Sequence, residues 1–158
     1  MPMLNLIGVH ECKVDAKGRL MLASSLKKQL MPVLAEGFVI KRSIFQTCLE
    51  LYPMSVWNAE VEGINELNRF VKKHNDFIRL FMAGVRVVEL DTAGRILIPK
   101  DLVNYAGIGR DIVLASAVDR VEIWDKTRYD QVINETSVDF ASLAEQVMGR
   151  QSGGNELS

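Results

Sequence analysis

"DTAGRILIP", residues 91–99, decides the fold, because "DAKGRL" at residues 15–20 writes the same turn 76 positions earlier. Each copy sets an aspartate, two intervening residues, a glycine and an arginine ahead of an apolar run. Glycine takes positive φ without steric penalty, and a carboxylate at the head of a turn accepts backbone N–H groups. Turn chemistry therefore accounts for Asp15, Gly18, Asp91 and Gly94 as structural turn residues. It does not account for Arg19 and Arg95. Either each guanidinium clamps its own aspartate, or a rigid turn presents it to phosphates or base edges, and a spare donor face would let it do both.

The pattern extends outward from both turns. "MLNLIGVHECKV" reads as a strand and "RLML" as its return, a hairpin-like unit. Ser24 or Ser25 is expected to cap a short helix that buries Leu26 and Leu30 before Pro32, and "EGFVIKRSIF" and "TCLELY" read as strands closed by Pro53. A helix starts near Met54 with Val56, Trp57, Val61 and Ile64 on one side. The second half then repeats the series: strand "VRVVEL", turn, return "RILIP", a helix from Pro99 with Leu102, Val103 and Ala106, strands "DIVLASA" and "VEIW", and a helix "KTRYDQVINE" capped by Asp125. Leu51-Tyr52 match Ile123-Trp124, and Trp57 matches Tyr129, at an offset of 72. The turn recurs because a whole module recurs.

Between the copies, Leu67, Phe70, Val71, His74, Phe77, Ile78, Phe81 and Met82 sit three or four apart, which predicts one long helix ending at Gly84. Its apolar stripe is expected to pack the modules together, with a protomer interface as the alternative. A last helix is expected from Asp139, as cap, through Phe140, Leu143, Ala144, Val147 and Met148. The fold class is α+β: two tandem modules forming a small double-module β core with packed helices, at residues 1–83 and 84–149, followed by a flexible tail at 150–158.

Composition sets the outer limits. A chain of 158 residues, 48% hydrophobic and 25% charged, folds as one ordinary domain or as two small ones sharing a core. A mean hydropathy of +0.08 leaves apolar surface that an oligomer could use. The net charge of -1 rules out a uniformly basic nucleic-acid binder but not a local basic patch, which an oligomer multiplies. Two cysteines, Cys12 and Cys48, make no disulfide framework, and neither a secretory leader nor a membrane-length apolar run is seen, so a soluble intracellular protein is expected.

His10 and Cys12 lie two apart in a strand, but a zinc site needs further ligands, and no metal or other cofactor is expected. His74 interrupts the apolar stripe without a nucleophile or acid partner and reads as a hydrogen-bonded interface or edge histidine. Gly107-Ile108-Gly109 stands at a helix exit, the wrong place for a dinucleotide loop, and no H-E-x-x-H or Walker pattern is present. The chain is not expected to be an enzyme.

The paired turns, with "AGI" at residues 106–108 and "DRVEIWD" at 119–125, resemble the MraZ family of bacterial transcriptional regulators, whose mark is two modules with an Asp-x-x-x-Arg signature related to the swapped-hairpin domain of AbrB. The likeness spans roughly residues 6–147. It implies a ring-shaped homo-oligomer in the cytoplasm, associated with the nucleoid. Such a protein binds double-stranded DNA with short direct repeats upstream of its own operon, at the head of the division and cell-wall gene cluster. Carried over by position, the signature falls on Asp15 and Arg19 and on Asp91 and Arg95, with Lys13 and Lys17 joining the DNA-binding surface by proximity. Ala23-Ser24 stands where the family pattern usually has the proline that the second module keeps at Pro99. The alternatives are a non-enzymatic protein-binding or structural homo-oligomer whose turns are clamps, and an antitoxin-like regulator, for which the tail lacks a hydrophobic hook.

Overall fold

The computed structural model describes residues 4–136 and 139–149, and the expected tail at 150–158 lies outside them. Residues 1–126 and 127–158 are two separate units. The first holds strands β1 (Val9–Lys13), β2 (Arg19–Met21), β3 (Phe38–Arg42), β4 (Leu49–Pro53), β5 (Arg86–Val88), β6 (Arg95–Leu97), β7 (Asp111–Ala117) and β8 (Arg120–Asp125). Its helices are α1 (Ser24–Leu30), α2 (Met54–Asn65), α3 (Lys72–Met82) and α4 (Lys100–Ala106), and a 3-10 turn, Met31–Glu36, carries Pro32 just after α1. Helix α5 (Lys126–Thr136) begins at the boundary; α6 (Phe140–Ala144), extended by a π-turn at Glu145–Gly149, belongs to the second unit.

Six strands form one antiparallel sheet in the order β1-β7-β8-β4-β3-β5, and β2 and β6 form a separate two-stranded ribbon. The hairpin-like unit expected from β1 and β2 is replaced by an exchange. An isolated bridge, Val14 with Leu20, stands there in place of a ladder; β1 pairs instead with β7, and β2 with β6. In return β5 pairs with β3, and β4 meets β8 at the middle of the sheet. The alternation of apolar side chains that makes a strand says nothing about which partner it takes, so local pattern alone could not distinguish exchange from a hairpin.

One face of the sheet carries the main core. Phe38, Ile40, Leu49, Leu51, Ile112, Leu114, Val121 and Ile123 cluster there with Leu26 and Leu30 of α1, Leu102 and Ala106 of α4, and Leu20 and Ile96 of the ribbon. Each such Val, Leu, Ile or Phe side chain contributes roughly 1.5–3 kcal/mol by leaving water. Helices α1 and α4 start without a side-chain cap: Ser24 is the first residue of α1, and neither it nor Ser25 caps the helix, whose N-cap is Ala23. Asp139 likewise gives α6 no side-chain cap.

The opposite face holds a smaller cluster of Val39, Tyr52, Trp57 and Phe81, with Trp57 and Phe81 stacked at 5.8 Å. Through it runs a charge network. Lys41, 1% exposed, lies 3.7 Å from Glu50 Oε1, donates to Arg42 O and sits 4.5 Å over the Phe81 ring. Tyr52 Oη donates to Glu50 Oε1 at 2.7 Å and accepts from Arg120 Nη1 at 2.8 Å, and Arg120 reaches Asp119 at 3.0 Å and Glu60 at 3.6 Å. Burial pulls the Lys41 ammonium pKa down against the pull of Glu50, and burial with Glu50 pushes the Tyr52 phenol up, so it stays a donor. Glu50 and Glu122 stand directly opposite across β4 and β8, and each accepts a ring donor from two residues on, Tyr52 and Trp124. Two like charges in register are tolerated because each has its own donor.

The long helix expected over residues 67–82 forms only from Lys72 onward. Helix α2 ends at Asn65 and α3 begins at Lys72. In between, Asn68 Oδ1 accepts the Phe70 N–H at 2.9 Å, His74 Nδ1 accepts the Asn68 N–H at 3.0 Å, and Asn75 Nδ2 donates to Arg69 O. These side chains take the backbone groups a helix would have used. Phe70 therefore stands 99% exposed and outside the core, Phe77 is exposed, and Phe81 is the member of the stripe that is buried.

Candidate nucleic-acid interface

The two turns share one set of bonds. Asp15 Oδ1 accepts the backbone N–H groups of Lys17 and Arg19, both at 2.9 Å, and Oδ2 accepts Arg19 Nε at 2.8 Å. Asp91 Oδ1 accepts those of Ala93 at 2.9 Å and Arg95 at 2.8 Å, and Oδ2 accepts Arg95 Nε at 3.0 Å. Gly18 and Gly94 close the turns at φ +85° and +82°, a region a β-carbon makes costly. Each arginine is held through Nε; among the described residues the Nη1 and Nη2 nitrogens of both have no hydrogen-bond partner. The clamp thus fixes one edge of the guanidinium and leaves its fork of donors for another acceptor.

The exchange then brings the two arginines onto one surface. In the ribbon Arg19 faces Leu97 and Met21 faces Arg95, while Leu20 and Ile96, paired between them, point into the core. Successive strand residues alternate sides, so Arg19, Met21, Arg95 and Leu97 share the outer face, with Met21 50% and Leu97 54% exposed. A two-stranded ribbon of this kind fits a B-DNA major groove, where arginine forks meet guanine edges and apolar side chains meet thymine methyls. Met21 and Leu97 escaped the sequence reading, although the period of two in "RLM" and "RIL" placed each beside its arginine.

Lys17 sits exposed within the first turn. Lys13 is not on the ribbon: it ends β1 in the six-stranded sheet, opposite Asp111, in a cleft that also contains Glu11 and Lys126. His10 and Cys12 face the main core from β1, where burial pushes the Cys12 thiol up to about 11. Among the described residues no group of three or more His, Cys, Asp or Glu side chains could hold a metal ion, and no helix is long and apolar enough to cross a membrane.

The backbone N–H of Arg19 holds the Asp15 carboxyl below the usual carboxylate range, and the N–H of Arg95 does the same for Asp91. A pKa depressed by folding gives stability that is present above the unfolded value, about 3.9, and lost as pH falls through the folded one. The Asp15→Asn/Asp91→Asn protein is therefore expected to melt below the parent at pH 7, with the gap closing in acid below about pH 4. Thermal melts from pH 7 to pH 2 check this; a gap that stays constant would mean that the carboxylate charges do not hold the turns.

Comparison with known proteins follows the same two modules. The family model described as "MraZ protein, putative antitoxin-like" matches twice, at residues 6–80 and 81–151. The chain is 65% identical over 147 residues to Transcriptional regulator MraZ of Christiangramia forsetii, covering 93% of this chain and 95% of that protein. It is 60% identical to the protein of that name from Flavobacterium psychrophilum, over 93% of this chain and 94% of the relative. To the one from Bacteroides thetaiotaomicron it is 36% identical, over 96% and 99%. With both modules matched and near full-length relatives at this identity, the chain belongs to the MraZ family.

Proposed function

We propose that this protein is a sequence-specific DNA-binding transcriptional regulator that reads double-stranded DNA with the outer face of the β2–β6 ribbon. The observation that carries the reading is the pair of arginines fixed on one face, each with no partner on its Nη donors among the described residues. Arg19 and Arg95 contact base edges or phosphates, with Lys17 beside them and Lys13 at the margin. The relatives' name, Transcriptional regulator MraZ, supports the regulatory role. The target is a set of short direct repeats upstream of the protein's own operon in the division and cell-wall cluster, and the site of action is the nucleoid. Exposed Ile7, Phe45, Phe70 and Leu80 support self-association, and a ring of copies would meet successive repeats, turning weak contacts into useful affinity.

The clamp geometry favours a second reading, in which the Asp–Arg pairs serve the turns alone and the oligomer is structural. Fluorescence anisotropy on the DNA upstream of the gene, against a scrambled duplex, separates the two. A well-placed arginine is worth about 1–3 kcal/mol of base discrimination, so Arg19→Gln/Arg95→Gln is expected to weaken specific binding at least about tenfold while unfolding stays cooperative. Unchanged affinity in that variant would leave the clamp as the whole role of both arginines.

A further inference from the structure

The two turns are not equally charged in sequence. Lys17 stands in the first, and its counterpart in the second is Ala93. The strand exchange changes that comparison. A β-carbon built on Gly18 lies 4.0 Å from Val103 Cγ2 of α4, whereas one built on Gly94 lies 3.2 Å from Lys27 Nζ of α1. Lys27 and Val103 stand at equivalent positions, 76 residues apart like the turns themselves. The first turn thus has its lysine within it and an apolar residue beneath, and the second has alanine within it and a lysine beneath.

We infer that Lys27 is the phosphate-contacting cation of the second turn, working with Arg95 as Lys17 works with Arg19. Lys27 is half-buried with its Nζ beside the turn, and among the described residues it has neither a carboxylate nor a hydrogen-bond partner. An ammonium that no carboxylate holds is available to a DNA phosphate arriving over the ribbon. No module supplies this site alone: Arg95 comes from the second and Lys27 from the first. The inference rests on the DNA-binding reading above and adds a residue to it.

The test is the salt dependence of anisotropy-measured binding to the upstream duplex, using the full chain. Each lysine–phosphate contact contributes about -0.9 to the slope of log K against log salt. Lys27→Gln is expected to make the slope shallower by about one for each protomer engaged and to weaken specific and scrambled duplexes alike. Lys28→Gln, which removes the same charge from the next residue, is expected to keep the parent slope. Adding Ala93→Lys to Lys27→Gln, which places the lysine in the turn as in the first module, is expected to restore it. Thermal melts check that each variant is folded. The inference is overturned if Lys27→Gln keeps the parent slope, if Lys28→Gln loses as much, or if Ala93→Lys restores nothing. Failure of the parent itself to bind with salt dependence would instead overturn the DNA-binding reading.

Discussion

Cut at residue 83, the protein is expected to lose its cooperative unfolding transition completely in both halves and to regain it when they are mixed. The reason is the pattern of pairing. The ladders β1–β7, β2–β6, β3–β5 and β4–β8 all join one module to the other, and among the described residues only β3–β4 and β7–β8 lie within a module. Either half alone keeps a single two-stranded hairpin, which is marginal in water, and exposes the apolar face that the partner covers. Circular dichroism melts of fragments 1–83 and 84–149, alone and together at low concentration, measure this. A sharp transition in either isolated monomer would show that strand exchange is not what holds the sheet.

Glu50→Ala is expected to destabilise the whole protein by about 3–5 kcal/mol, because it leaves the Lys41 ammonium buried without its carboxylate. It also removes the acceptor of the Tyr52 hydroxyl. Burial already depresses Lys41, and without Glu50 its folded pKa falls further, while the unfolded chain keeps an ordinary lysine. The unfolded state then binds more protons, so the stability of the variant rises with pH as Lys41 becomes neutral. Adding Lys41→Met is expected to recover most of the loss, since a side chain of similar length without charge suits the Phe81 ring above it. Urea unfolding at two pH values resolves both effects. A loss below about 1 kcal/mol, the range of exposed pairs, would mean that water screens this pair despite its burial.

Much of this architecture was legible from the residues. The duplicated turns located both modules, and the strands around Leu51-Tyr52 and Ile123-Trp124 fell where the repeat put them. The α+β class and the two MraZ modules follow from the same repeat. Partner choice was not legible. Nothing in "VHECK" says that its neighbour is β7, since every strand here offers the same alternation of apolar side chains. The break at residues 66–71 was hidden for a different reason. Apolar spacing three and four apart ran through it, while the helix was stopped by Asn68, His74 and Asn75 drawing off backbone groups. The Lys41–Glu50–Tyr52–Arg120 network was invisible because charged residues read as surface until the sheet brings them under α2 and α3. At the ribbon the turns and their arginines could be read directly, but their sharing of a face, and the place of Lys27 beneath Gly94, come only from the exchange.

The exchange also sets a timetable for synthesis. Strand β1 leaves the ribosome about a hundred residues before its partner β7, and at about 5–20 residues per second it waits several seconds. During that interval β3 and β4 form the one hairpin available, with both outer edges open, and open edges invite pairing between nascent chains on the same message. Within that hairpin Lys41 stands opposite Glu50, and Pro53 ends β4 where it has no N–H to offer. A charge on each strand and a proline at the end are what keep exposed strands apart. Those three residues therefore blunt the edges of the half-made chain, before Lys41 and Glu50 join the charge network of the finished protein.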